Sequence, residues 1–484
     1  MRTFSVVMAA AEAVPFTKTG GLGDVAGALP RALADRGVRV RLVVPYHTQA
    51  SLWQPDRPGS AFLMDVTVEG KRYRVTVYRT AVTRRFEILQ IKHDRYFNRP
   101  FLYGPPGEDY VDNARRFAFF SRAVARYIER LDEPVDLVHL HDWHTALLPL
   151  VLSRRIPSVL TIHNLAFQGL FPPEALGEAG LSRDLFLPDL LEFWGRVNFL
   201  KAGILFADRV AMVSPAYLEE VLSEPLGYGL EGFLRAHRHK LRGILNGVDH
   251  KSWNPAADPL IPARYDAADR EGKEVCRRAL QEEFGLPSDL PGPLVGLTTR
   301  LTHEKGIDLV LEALPALRES GCTLVAAGTG EARFEEALRA AAAQSAHVRF
   351  EPGYDEAVAH RIMAGADVFL QPSRREPCGL NILYAMKYGT VPVVADTGGF
   401  RDTVTPVTGG NHAGTGFVFS PGDAGSMVEA IRRAAAAFGG PAWTALIGRC
   451  MDQDFSWDRP VDQYLELYRD LVPGGGRKER RPHR

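Results

Sequence analysis

Lys18-Thr19-Gly20-Gly21-Leu22-Gly23-Asp24-Val25 lies between an apolar run, Phe4 to Ala11, and a segment, Asp24 to Arg36, that carries Val25, Leu29 and Leu33 at helical spacing. A short strand, a glycine turn and a helix in that order open an α/β fold with a parallel sheet. Glycines in such a turn let the backbone come close to a ligand, and the helix N-terminus offers free N–H groups and a positive dipole to an anion. A bare glycine turn is an ordinary connection, but here Lys18 adds a cation suited to phosphate and Asp24 an acceptor suited to a polyol. The string is neither G-x-G-x-x-G nor a Walker loop, which argues against a dehydrogenase or an NTPase.

Beyond this unit the alternation repeats. Leu294 to Thr299, Thr323 to Ala327, His347 to Phe350, Asp367 to Gln371 and Val391 to Ala395 read as strands. Between them lie helices over Ile307 to Glu319, Glu331 to Gln344, Glu356 to Ala364 and Leu380 to Tyr388. Units of this kind imply a parallel sheet covered on both faces, with ligands at the carboxyl ends of its strands, where the loops hold Arg300, Gly328, Pro372 and Thr397. In the first half, Val38 to Val44, Val135 to Leu140, Ser158 to Ile162 and Arg209 to Val213 are buried-strand candidates, and Asn113 to Arg130 is a helix. Alternation over Phe62 to Ile91 predicts an inserted β-hairpin. A polar, proline-punctuated stretch, Asn246 to Ala268, marks the hinge between two domains, and 484 residues are too many for one ordinary core.

The 58 basic and 58 acidic side chains cancel, so no global field draws the chain to nucleic acid or an anionic membrane. No apolar stretch approaches the roughly 20 residues of a membrane span, and Glu12 interrupts the opening run before it can read as a signal peptide. Cys276, Cys322, Cys378 and Cys450 are scattered, with no zinc or disulfide pattern, and fit a reducing cytoplasm. The basic tail, residues 474–484, has no apolar periodicity and is expected to be disordered.

Several motifs carry chemistry. Arg300 and Lys305 flank a loop between a strand and a helix, where two cations can hold one diphosphate and stabilise its developing charge. Glu376 precedes a helix in Arg374-Arg375-Glu376-Pro377-Cys378-Gly379-Leu380, with Pro377 presetting the turn and Gly379 allowing close backbone approach. Asp452-Gln453-Asp454 is the one D-x-D metal candidate, but its place near the C-terminus fits a solvated turn. His141 and His144 are close in sequence without the further ligands of a zinc site, so no metal is expected. Glu12, Asp142, Trp143 and His144 supply the carboxylates and aromatic face that a sugar polymer needs, although Trp143 also fits core packing.

Lys18 to Val25, Tyr110 to Phe117 (YVDNARRF), His139 to His144 (HLHDWH), Thr161 to Phe167 (TIHNLAF), Ile244 to Asp249 (ILNGVD), Arg300 to Asp308 (RLTHEKGID), Ser373 to Leu380 (SRREPCGL) and Tyr388 to Gly399 together resemble, over essentially the whole length, the bacterial glycogen synthases and plant starch synthases. These are retaining glucosyltransferases. The resemblance implies an α/β GT-B fold, with two Rossmann-like parallel-sheet domains facing a deep cleft. The N-terminal domain, 1–248, would take the glucan acceptor, and the C-terminal domain, 249–457, the nucleotide sugar. A helix over 458–473 would cross back onto the first domain. It implies ADP-glucose and an α-1,4-glucan such as glycogen as substrates, with no cofactor.

By the same resemblance, Glu376 holds the donor glucose at its 3-hydroxyl and stabilises developing positive charge, while His163 meets the 6-hydroxyl. Lys18, Gly20, Gly21, Asp24, Asn164, Asn246, Gly328, Cys378, Gly379 and Leu380 line the donor, Tyr354 stacks on adenine, and Asp142 orients the attacking 4-hydroxyl. Three departures touch the donor loops. Arg375 replaces an aromatic, Asn381-Ile382 replaces Thr-Gln, and Ala395-Asp396 stands where an arginine often follows the strand. A UDP-glucose-dependent or sucrose-forming GT-B transferase, and a non-catalytic glucan-binding protein, remain as alternatives.

Overall fold

A computed structural model describes residues 4–47, 59–105, 107–290, 292–353, 355–409 and 413–472. Tyr354 and the basic tail lie outside the described residues. The chain divides into two compact units, residues 1–247 with 457–484, and residues 248–456.

Unit 1 is built on a nine-stranded sheet. Its strands are β1 (Ser5–Ala9), β2 (Arg39–Pro45), β3 (Ser60–Val68), β4 (Lys71–Ala81), β5 (Phe86–Lys92), β6 (Leu137–His141), β7 (Ser158–Ile162), β11 (Arg209–Met212) and β12 (Leu241–Gly243). A small antiparallel sheet of β8 (Leu170–Phe171), β9 (Glu192–Phe193) and β10 (Arg196–Asn198) accompanies it. The large sheet runs in the order β12-β11-β7-β6-β1-β2-β5-β4-β3. Strands β6 and β7 are buried at every residue, as strands covered by helices on both faces must be. By contrast β3 and β4 alternate between buried and exposed residues, the mark of a sheet with one wet face.

The segment expected as a hairpin is a three-stranded edge. β3 and β4 pair antiparallel about a Glu69-Gly70 turn with both residues at positive φ, and β4 pairs antiparallel with β5. β5 then joins β2 in parallel, which makes the insertion an extension of the main sheet. The first helix, Gly21–Asp35, starts three residues earlier than its apolar spacing suggests, so Gly21 and Gly23 lie in its first turn.

In unit 2 the strands are β13 (Leu294–Thr298), β14 (Thr323–Gly328), β15 (Val348–Pro352), β16 (Val368–Gln371), β17 (Val391–Ala395) and β18 (Phe417–Phe419), all parallel, in the order β15-β14-β13-β16-β17-β18. Helices cover the sheet, among them Ile307–Glu319 and Leu380–Lys387.

Both sheets reverse their strand order once near the middle. In unit 1 the chain leaves β1 toward β2 on one side, and β6 returns on the other. Unit 2 does the same about β13, with β14 on one side and β16 on the other. At such a switch point the loops after the two central strands diverge and leave a crevice. These loops are residues 10–20 and 142–147 in unit 1, and residues 299–306 and 372–379 in unit 2.

The helix Asp458–Leu471 follows unit 2 in sequence and packs on unit 1. Tyr464 and Tyr468 are fully buried there, and Arg36, the C-cap of the first helix, bonds Asp458 at 2.8 Å and Asp462 at 2.6 Å. These ion pairs are exposed and contribute little, so the buried tyrosine face holds the helix. Among the described residues no helix is long and apolar enough to cross a membrane.

Candidate active site

Around the crevice of unit 2, one carboxylate oxygen collects three donors. Oε2 of Glu376 accepts from Lys305 Nζ at 2.7 Å, Ser373 Oγ at 2.9 Å and Gln371 Nε2 at 3.1 Å. All four side chains are buried. Two loops from separate strands must touch for this, and glycine makes it possible. Gly306, at φ 73°, passes so close to Pro372 that a Cβ would stand 2.1 Å from its carbonyl oxygen. Arg374 then locks the loops together. It donates to both carboxylate oxygens of Asp308, at 2.8 and 2.7 Å, and to the His303 carbonyl at 2.7 Å. Gln371 Oε1 is buried with no partner among the described residues, so the cluster has acceptor capacity left for a hydroxyl.

Arg300 is exposed two residues beyond β13, whereas Lys305 is buried against Glu376. The two cations of the sequence motif therefore hold different environments. Gly328 ends β14. Cys378 is buried and precedes Gly379, which stands at φ 80° as the N-cap of the helix Leu380–Lys387. Leu380 is half-buried at the first position of that helix. Of the three departures, Asn381 is put to use, since its Nδ2 donates to the Thr298 carbonyl at 2.9 Å and ties the helix start to β13. Asp396 is exposed and paired with Arg401 at 3.0 Å.

In unit 1, Lys18 pairs with Asp24 at 2.8 Å, with both half-buried, while Gly20 caps the helix and Gly21 is exposed. Glu12 is buried and accepts from Thr19 N at 2.6 Å and Thr19 Oγ1 at 2.9 Å. Burial pushes its carboxyl up to about 8, with the charges of Asp24 and Asp142 adding to the rise. Asp142, at φ 55°, accepts from the His163 amide at 2.7 Å, and burial pushes it up to about 7. Asn164 uses its Oδ1 to accept from Ala166 N at 2.9 Å. Asn246 is buried, and its Oδ1 has no partner among the described residues.

Two raised carboxyls make stability pH-dependent. Between the ordinary value of 4.5 and about 8, folded Glu12 keeps a proton that the unfolded chain has released. Stability therefore falls as pH rises through that window and the loss is complete above it. Glu12→Gln should flatten this slope, so that the variant is more stable than the parent at pH 9 but not at pH 4. Urea unfolding at the two pH values measures the difference.

His163 is buried and neutral, its value held down to about 3 by burial, with Nε2 at 2.9 Å from His141 Nδ1. Trp143 is only 8% exposed. Its ring lies between His144 at 4.0 Å, Phe117 at 5.0 Å and Phe171 at 5.5 Å. Trp143 and the buried His144 thus pack on the loop that carries Asp142.

Tyr103 escaped the sequence reading. Its ring sits 4.7 Å from His144, and burial with the nearby Glu12 and Asp142 carboxylates keeps its hydroxyl protonated. The sequence signal was indirect, through YVDNARRF. Asn113 Nδ2 donates to the Tyr103 carbonyl at 2.8 Å, and Arg116 donates to Leu102 O at 2.9 Å, to Tyr96 O at 2.8 Å and to Asn113 Oδ1 at 2.6 Å. That motif is a clamp on the loop bearing Tyr103. Asp454 of the D-x-D string accepts from Ser456 N at 2.9 Å in a turn, and Asp452 caps the helix Pro441–Met451.

Residues 5–236 match the family described as starch synthase catalytic domain, and residues 281–436 match glycosyl transferases group 1. The chain is 42% identical over 475 residues to glycogen synthase 2 of Geobacter sulfurreducens, covering 96% of this chain and 98% of that one. It is 44% identical over 485 residues to glycogen synthase of Anaeromyxobacter dehalogenans, covering 97% and 99%. The chain belongs to the glycogen synthase and starch synthase family. Among solved structures, the catalytic domain of starch synthase IV from Arabidopsis thaliana, bound to ADP and acarbose, superposes with a TM-score of 0.89 at 34% identity, covering 97% of this chain and 99% of that one. Sucrose-phosphate synthase from Thermosynechococcus elongatus superposes at 0.60 with 19% identity over 97% and 99%, a likeness of fold alone. The protein is thus a GT-B glycosyltransferase, with two Rossmann-like units and a final helix returning to the first.

Proposed function

We propose that the protein is a glycogen synthase that transfers glucose from ADP-glucose to the non-reducing 4-hydroxyl of an α-1,4-glucan with retention. The observation that supports this most is the buried Lys305–Glu376 pair at the switch point of unit 2, in a chain 42% identical to a glycogen synthase over nearly its full length. ADP bound to the Arabidopsis starch synthase supports adenine over uracil in the donor.

In this reading Lys305 and Arg300 offer positive charge to the diphosphate. The bond from the anomeric carbon to the diphosphate oxygen breaks, and its electron pair leaves with ADP. The acceptor 4-hydroxyl oxygen bonds the same face of that carbon, and its proton passes to the departing phosphate oxygen. Glu376 stabilises the positive charge that develops on the sugar between these events. Because Lys305 already bonds Glu376, arrival of a diphosphate gives the ammonium a second anion and frees part of the carboxylate for sugar. Cationic side chains supply the charge, so no metal enters the proposal.

Incorporation of labelled glucose into glycogen tests it. The expected result is a higher kcat/KM with ADP-glucose than with UDP-glucose, unchanged by EDTA. Equal or better use of UDP-glucose would overturn the donor assignment, and loss of activity in EDTA restored by a divalent ion would overturn the metal-free chemistry. Release of the new glucose by an α-specific glucosidase checks retention.

A further inference from the structure

We propose that His141 is a positioning residue that fixes the proton of His163 on Nδ1, so that His163 presents an N–H donor to its ligand. The proposal rests on the reading of His163 as the residue facing the donor sugar.

Both rings are buried and held neutral, so each carries one proton. His141 Nδ1 and His163 Nε2 are 2.9 Å apart, and one must donate to the other. If His163 donates from Nε2, His141 must carry its proton on its own Nε2. That atom is buried with no hydrogen-bond partner among the described residues. A buried N–H without an acceptor is rare and costly, whereas an unused lone pair is better tolerated. His141 therefore keeps its proton on Nδ1 and donates it. His163 Nε2 is the acceptor, which puts the His163 proton on Nδ1.

The rest of the cluster sets the geometry without setting the protons. His139 stacks on His141 at 4.6 Å with planes 20° apart, and is itself pinned by Tyr468 OH and Thr161 Oγ1, both at 2.7 Å. Thr161 Oγ1 is also 3.2 Å from Tyr464 OH. Every partner of His139 is a hydroxyl, able to donate or accept, so the choice is made at His141. Two strands, β6 and β7, and the helix Asp458–Leu471 thus hold one imidazole whose remaining donor is aimed by its neighbour.

Nitrogen NMR of the full chain carrying 15N-histidine is the test, with the His163 signals identified by their loss in His163→Asn. The expected pattern is a protonated Nδ1 and an unprotonated Nε2 on His163; the reverse would overturn the proposal. Activity gives a second arm. Asn at position 141 can still offer an amide N–H in place of Nδ1, and Leu cannot. Relative to wild type, His141→Leu should lose about tenfold or more of the preference for ADP-glucose over its 6-deoxy analogue, and His141→Asn should retain most of it. A His141→Leu enzyme with the full preference would overturn the proposal. If wild type shows the expected nitrogen pattern but no preference between the two donors, the role of His141 stands and the placing of His163 at the sugar falls.

Discussion

Glu376→Gln is expected to lower kcat by about 10² to 10³ while ADP, which lacks the sugar, binds almost as it does to the parent. Gln keeps the size of the side chain and the bonds from Ser373, and removes the charge that would meet positive charge on the sugar. Lys305→Ala should cost as much activity, and stability as well, because among the described residues it leaves the buried carboxylate with Ser373 and Gln371 as its donors. Breaking a buried pair from one side costs about 3 to 5 kcal/mol. The double variant Lys305→Ala with Glu376→Gln removes the stranded charge, so it should regain much of that stability and none of the activity. Turnover, calorimetric titration with ADP and urea unfolding on the three proteins separate these effects. A folded Glu376→Gln enzyme with parental turnover would remove Glu376 from the chemistry, and joint loss of ADP affinity and turnover would make it a support for the phosphate loop.

The largest effect on stability is expected at Arg116. Its guanidinium is fully buried, with burial lowering it to about 10, and it donates to two carbonyls and one amide oxygen, with no carboxylate in direct contact among the described residues. Arg116→Met strands those acceptors, at about 1 to 3 kcal/mol each, and should leave the protein largely insoluble. Arg116→Lys keeps the charge but replaces a planar fork with one point, which cannot reach all three acceptors. It should unfold at clearly lower urea, and its residual activity should fall because Tyr103 loses the clamp on its loop. A Lys variant as stable as the parent would show that charge alone holds the loop.

Sequence made the second unit more legible than the first. There, short apolar runs such as Leu294 to Thr299 alternate with helices whose apolar residues repeat cleanly, and the strands appear where the pattern places them. The helix Glu271–Glu283 went unread because its only large apolar residues are Val275 and Leu280. β8, β9, β10 and β18, of two or three residues, are too short to show a period. Site residues were legible as motifs but their partners were not. Lys305 and Glu376 are 71 positions apart, and nothing local to either says that β13 and β16 are neighbours. Strand order decides that, and strand order is a property of the whole sheet. The same holds for Trp143, whose sequence fits either a sugar platform or a core, and whose packing against Phe117 and Phe171 no local pattern shows.

The return of the helix Asp458–Leu471 to unit 1 also sets an order of events during synthesis. Unit 2 is continuous in sequence, and its two ends are joined by a bond from Val248 N to Phe455 O at 2.7 Å, so everything it needs has left the ribosome once residue 456 emerges. Unit 1 begins first but must wait, with Phe4, His139 and Thr161 lacking the tyrosines that cover them, until the whole of unit 2 has been made. A released chain that ends at residue 456 would therefore carry a finished second unit and a first unit with an open seam along β1, β6 and β7. Limited proteolysis of such a chain should cut the earlier-made half and spare the later one.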